Sequence, residues 1–265
     1  MGDAVAAAPG TGRRDIGAVL WPLAGFALIL LVWETAPRLG LVRPTSIPPA
    51  SAVFGEMAVI LRDSDFWQQT ASSSGRWVIG FVIAIAIGVP IGIAMGRSRL
   101  AYHAIDPLLT VTYPTPKAAL ILILVLMFGA GNVSRITIIV LGCLIPITVS
   151  AYHGASGIEP KLLWSAQAMG LGKVRTLVRV VLPASLPQVL SGLRIGIAIS
   201  VFALIASELL IRQSGIGAYL FTFYDLGATL KVWATASIIA IIGFLLDSAF
   251  VALTRLSFRW LEGEV

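Results

Sequence analysis

Charged side chains are scarce in this chain of 265 residues: only 12% are Asp, Glu, Lys or Arg, and just 13 of those are acidic. Soluble domains carry about 25%, so there is too little charge to cover a water-exposed surface. That excludes a soluble enzyme, a nucleic-acid module and a disordered tail. Cysteine occurs once, at Cys143, which excludes an internal disulfide and a cysteine-rich metal site. In its apolar stretch it reads as an inert small hydrophobe. The two histidines, His103 and His153, fall in stretches read as polar loops and as solvated groups. No nucleophile constellation appears. Gly170-Leu171-Gly172-Lys173-Val174 lacks the Gly-x-x-x-x-Gly-Lys-Ser/Thr spacing of a phosphate-binding loop, so neither a nucleotide site nor a cofactor is expected.

What the chain has is apolar length. Hydrophobic residues make up 57% of it, with a mean hydropathy of +0.92. Runs of ~20 such residues cross the ~30 Å hydrocarbon layer as helices. Six are predicted: Ile16 to Trp33, Trp77 to Met95, Lys117 to Phe128 (extended backwards through Pro114 and Pro116), Ile136 to Val149, Gln188 to Ile211, and Val232 to Leu253. The expected fold is an all-α, polytopic membrane protein with six transmembrane helices. No small-residue cleavage pattern follows the first run, so it reads as a retained anchor. A polar stretch from Pro37 to Ser74 follows, with a short surface helix over Ser51 to Leu61.

The formal charge is +6, with a pI near 9.9. In an apolar chain this signals orientation rather than a nucleic-acid partner, because Lys and Arg are retained on the cytoplasmic side. With the N-terminus inside, the inner segments hold Arg13, Arg14, Arg97, Arg99, Lys117, Lys161, Lys173, Arg175, Arg179, Arg255 and Arg259. Against those 11 stand 7 outside: Arg38, Arg43, Arg62, Arg76, Arg135, Arg212 and Lys231. Both termini are then expected in the cytoplasm.

The most informative stretch is polar. From Glu159 to Pro187, Leu162, Leu163, Ala166 and Met169 recur at helical spacing. Gly170 and Gly172 mark a stop, and a second short helix from Lys173 to Leu182 is expected to end at Pro183. Two short helices about a glycine turn form a knob suited to a partner's groove.

This stretch resembles the EAA loop of permease subunits of binding-protein-dependent ABC importers, with the pattern Glu-Ala-Ala, three residues, Gly, nine residues, Ile-x-Leu-Pro. Trp164, Ser165 and Ala166 occupy the first three positions, Gly170 the glycine, and Val180-Val181-Leu182-Pro183 the end. Trp164 stands where the family has glutamate, so docking leans on apolar burial there. Pro44 to Val53, Tyr113-Pro114-Thr115-Pro116-Lys117, Phe128-Gly129-Ala130-Gly131, and Ser207-Glu208-Leu209-Leu210 with Ser214-Gly215-Ile216-Gly217 resemble the nitrate, sulfonate and taurine branch.

The resemblance implies a second copy of the permease, two cytoplasmic ABC ATPase subunits, an extracytoplasmic substrate-binding protein, and a small anion or polar organic solute as cargo. It implies the following division: residues 1–15, cytoplasmic tail; 16–65, first span and extracytoplasmic segment; 66–260, transporter domain with coupling loop 159–187; 261–265, C-terminal tail. The alternative, a stand-alone channel or secondary carrier, would be expected to show broken-helix repeats in two halves, and none is evident.

Within the spans, Gly88, Gly92 and Gly96 share one helix face and allow close approach in lipid, with Pro90 as a possible kink. Glu208 and Arg212 stand four apart, which suits a local ion pair; the resemblance, which puts Glu208 near the outer end of the path, implies an external gate. Arg194 and Asp247 lie at similar depth on antiparallel spans and either pair or leave Arg194 to snorkel. Ser200, Ser207, Thr112 and Ser150 either face the path or bond their own backbone.

Overall fold

The computed structural model describes residues 16–257; the expected tails and residues 258–260 lie outside them. Among the described residues the chain is helical, with no strand. Five helices are long and apolar enough to cross a membrane. They correspond to α1 (Ile16–Arg38), α3 (Ser64–Arg97), α6 (Asn132–Ser156), α9 (Leu182–Ile211) and α11 (Thr229–Ser257). The remaining expected span, α5 (Lys117–Phe128), has 12 residues. At 1.5 Å per residue it reaches about 18 Å, short of the hydrocarbon thickness. Pro116 caps its start, the expected backward extension is absent, and Gly129 at φ 77° ends it.

The centre is a trio, α3, α6 and α9. Gly80, Gly88, Gly92 and Gly96 of α3 lie against Ile139, Ile147, Ala151 and Ala155 of α6, so these two helices run parallel. A Cβ at Gly92 would come within 2.7 Å of Ala151 Cβ, and one at Gly96 within 2.7 Å of Ala155 Cβ. The stripe therefore forms a close seam inside this chain. Helix α9 returns antiparallel: Gly196 meets Ile147, and Ala203 meets Gly142. Phe81, Ala84, Ile139, Cys143, Ile147, Ile197 and Leu204 fill the space between the three.

The remaining helices close the two ends. At one end α2 (Ala50–Ile60) and α10 (Ile216–Asp225) pack with the starts of α3 and α11, burying Val53, Met57, Phe66 and Tyr219. Trp33 Nε1 donates to the Pro48 carbonyl and Trp233 Nε1 to the Ser46 carbonyl. Amphipathic indoles of this kind suit a membrane–water interface. The opposite end carries α4 (Arg99–Thr112), α7 (Pro160–Ala168) and α8 (Lys173–Thr176).

Several expectations are corrected. The segment before Trp77 is not external polar chain: α3 begins at Ser64, where Asp63 accepts from the Asp65 amide. Two of the polar residues that suggested loop, Ser73 and Arg76, are buried where they bond Glu208. His103 and His153 lie on helices α4 and α6 rather than in loops. Pro183 does not end a helix. The chain runs on from Lys173 to Ile211 as one 39-residue element, because a π-helical turn over Leu177–Val181 precedes the proline. A proline ring clashes with the carbonyl four residues back, here that of Arg179, and removes one N–H from the ladder. The wider turn accommodates both.

Candidate functional site

Two constellations stand out, one at each end of the bundle. At the first end, polar side chains of α3, α6 and the Ser214 loop and a backbone amide of α10 gather around Glu208, which is fully buried near the end of α9. Arg76 Nη1 lies 2.5 Å from Glu208 Oε1. Ser73 Oγ donates to the carboxylate at 2.7 Å, and the Gly217 amide donates at 3.0 Å. Arg76 also donates through Nε to Asn132 Oδ1 at 2.9 Å and through Nη2 to Ser214 Oγ at 2.6 Å. Arg135, one turn into α6, is 1% exposed and donates through Nη1 to Ser214 Oγ at 2.9 Å.

The loop Ser214–Gly217 makes this geometry possible. Gly215 takes φ 108°, and a Cβ there would overlap the Glu208 carboxylate. The Gly215 amide donates to Gln69 Oε1 at 2.7 Å, and the Ile216 amide to Ser73 Oγ at 2.9 Å. Buried polar groups are costly unless hydrogen-bonded; here Glu208, Ser73 and Arg76 satisfy one another and the loop amides. Arg212 is not the partner of Glu208. It adopts the left-handed region at φ 55° to end α9, which turns its side chain away. Its guanidinium sits 3.6 Å from the Phe221 ring centroid and 3.7 Å from Asp225. The signal for the true partner was a polar stripe, Gln69, Ser73 and Arg76, at helical spacing ahead of an apolar run.

Two further polar contacts lie along the spans. Arg194 Nε and Nη2 donate to Asp247 Oδ1 and Oδ2 at 2.9 and 3.0 Å, a bidentate pair joining α9 to α11. Ser200 is buried, donates to the Ile197 carbonyl at 2.8 Å and accepts from Trp77 Nε1 at 2.8 Å. Ser207 and Thr112 likewise bond carbonyls of their own helices.

The second constellation is the knob. Helix α7 stops in a Schellman arrangement: Gly170 has φ 73°, its amide donates to the Gln167 carbonyl, and the Leu171 amide donates to the Ala166 carbonyl. Ala166 is buried and fixes α7 against its surroundings, whereas Trp164 is 65% exposed, Met169 71% and Val174 74%. Ser165, Gly170, Leu182 and Pro183 are also exposed. A groove of about 430 Å³ separates the knob from Arg97 at the end of α3, lined by Gln167, Leu171, Lys173 and Thr176. Among the described residues no group of His, Cys, Asp and Glu is arranged to hold a metal.

Residues 88–258 match the family model of the binding-protein-dependent transport system inner membrane component. The chain is 33% identical to the taurine transport system permease protein TauC of Escherichia coli K12, over 92% of this chain and 94% of that one. It is 29% identical to the putative aliphatic sulfonates transport permease protein SsuC of Bacillus subtilis 168, over 88% and 85% of the two chains. Among solved structures, a chain of the MetNI methionine ABC transporter in an inward-facing conformation shares the fold. It superposes with a TM-score of 0.59 at 18% identity, over 76% of this chain and 97% of that one. An all-helical bundle of apolar spans that matches this family over more than half its length belongs to it: the chain is a binding-protein-dependent transport system inner membrane component, a multi-pass permease subunit of an ABC importer.

Proposed function

We propose that this permease forms half of a substrate pathway with a second copy of itself, and that residues 159–187 are its contact with a separate ATPase. The observation that carries the reading is the surface of the knob. Trp164, Met169 and Val174 expose apolar side chains on a short, rigidly turned element where a solvated loop would be polar. Burying one such side chain is worth roughly 1.5–3 kcal/mol, so a pocket in a partner has a defined anchor in Trp164.

Motion of that anchor is transmitted mechanically. α8 belongs to the same 39-residue helical element as α9, about 58 Å long at 1.5 Å per residue. That exceeds the membrane core by about 28 Å, and the excess carries the knob beyond the lipid. The knob and both termini then lie in the cytoplasm, and the Glu208 cluster faces the extracytoplasmic binding protein. Two ATPase subunits closing on ATP would draw the two knobs together and rock the spans between inward- and outward-open states. The cluster locks α3, α6, α9 and α10 at the outer end, so a gate there opens by movement of that block against the second copy. The cargo is a small sulfonate-like anion, delivered by the binding protein.

Co-purification with the ATPase tests the reading. Trp164→Asp and Gly170→Arg should each lose the ATPase while the permease remains folded; retention of full binding by both refutes the role of the knob.

A further inference from the structure

The Glu208 cluster is not electrically balanced. Two guanidinium groups, Arg76 and Arg135, both bonded to Ser214, share one carboxylate. Arg76 takes the carboxylate. Arg135 is left with neutral partners only, the Ser214 hydroxyl and carbonyl, both through Nη1. Its Nε and Nη2 are fully buried and have no acceptor among the described residues.

Those two atoms form one edge of the guanidinium plane, the edge whose parallel N–H groups match two oxygens of an oxyanion. An unpaired buried charge of this kind is strongly unfavourable. The amides at the start of the 25-residue helix α6 add partial positive charge in the same place. The other donors converging here are already used: Gly215 on Gln69, Ile216 on Ser73, and Gly217 on Glu208. What is missing is one negative charge, at one defined edge.

We propose that this cluster is a binding site for one small monovalent anion, held side-on by Nε and Nη2 of Arg135. A single negative charge brings the buried group to neutrality and supplies both missing acceptors. That an anion binds rests on the unpaired edge and the charge imbalance; that the anion is cargo rests on the importer reading.

The test uses the purified permease–ATPase complex in detergent at constant ionic strength, with gluconate replaced stepwise by nitrate, methanesulfonate or chloride. The melting temperature should rise along a saturating curve. Arg135→Lys keeps the charge but not the planar edge, and should raise the half-saturating concentration by about tenfold or more, as loss of a charge-assisted bidentate contact implies. Arg135→Gln should abolish the response. Saturation by nitrate and methanesulfonate but not chloride identifies a cargo-type oxyanion. Saturation by chloride as well identifies a resident structural anion on the same edge. A linear, unsaturable response in the wild type, or an Arg135→Lys curve matching the wild type, overturns the proposal. Neither outcome touches ATPase docking, which is read separately.

Discussion

Glu208→Gln preserves the shape of the buried cluster and removes its only negative charge. Three donors converge on that carboxylate, from Ser73, Arg76 and Gly217. A glutamine offers one oxygen and turns an NH₂ group toward at least one of them. Arg76 is 6% exposed, so water cannot take over. Breaking a buried pair from one side costs about 3–5 kcal/mol, a factor of roughly 10² to 10⁴ in the folding equilibrium. Arg135→Met acts differently. It deletes contacts to Ser214 alone, about 1 kcal/mol, and relieves repulsion with Arg76. In gluconate, which leaves the Arg135 charge unpaired, thermal unfolding of the detergent-purified permease should therefore place Arg135→Met at or above wild type and Glu208→Gln far below both. A Glu208→Gln protein within about 1 kcal/mol of wild type, or an Arg135→Met protein as unstable as Glu208→Gln, would refute this charge accounting.

Other perturbations follow from the same contacts. Gly215→Ala should fail to assemble the cluster, since its φ of 108° and the Glu208 carboxylate both exclude a Cβ; yield of monodisperse permease checks this. Gly92→Ala should destabilise the α3–α6 seam, whereas Gly55→Ala, with open space at its Cβ, should gain up to about 1 kcal/mol from helix propensity; paired melting curves separate the two. Arg194→Asp and Asp247→Arg should each weaken the packing of α11 on α9, and the double reversal should restore it. Equal melting temperatures for the double and single variants would sink that pairing.

Much of the architecture was legible because lipid demands continuous apolar length. The end of α5 at Gly129 was legible, although its start lies at Pro116 rather than further back, and the matching positions of Arg194 and Asp247 followed from counting rise along their spans. The parts that were not legible share a cause: polarity was read as exposure. Ser73 and Arg76 belong to the interior because each is the other's neighbour around Glu208, and no single segment announces that pairing. The local alternative, Glu208 with Arg212, looked sufficient until the left-handed turn at Arg212 withdrew it. α4 and α10 are short and mixed in character, so neither registers as a span. Pro183 reads as a stop in any isolated helix; only the π-helical turn before it allows α8 and α9 to be continuous.

The central claim is that the knob is the surface an ATPase grips from the cytoplasm. Val174→Cys tests it directly, because Val174 is exposed and the native Cys143 is fully buried, leaving little background. A membrane-impermeant maleimide should label Val174→Cys in inside-out vesicles and not in right-side-out ones, and added ATPase subunit should protect it. Labelling from the outer side, or labelling undiminished by a saturating ATPase, would contradict the account.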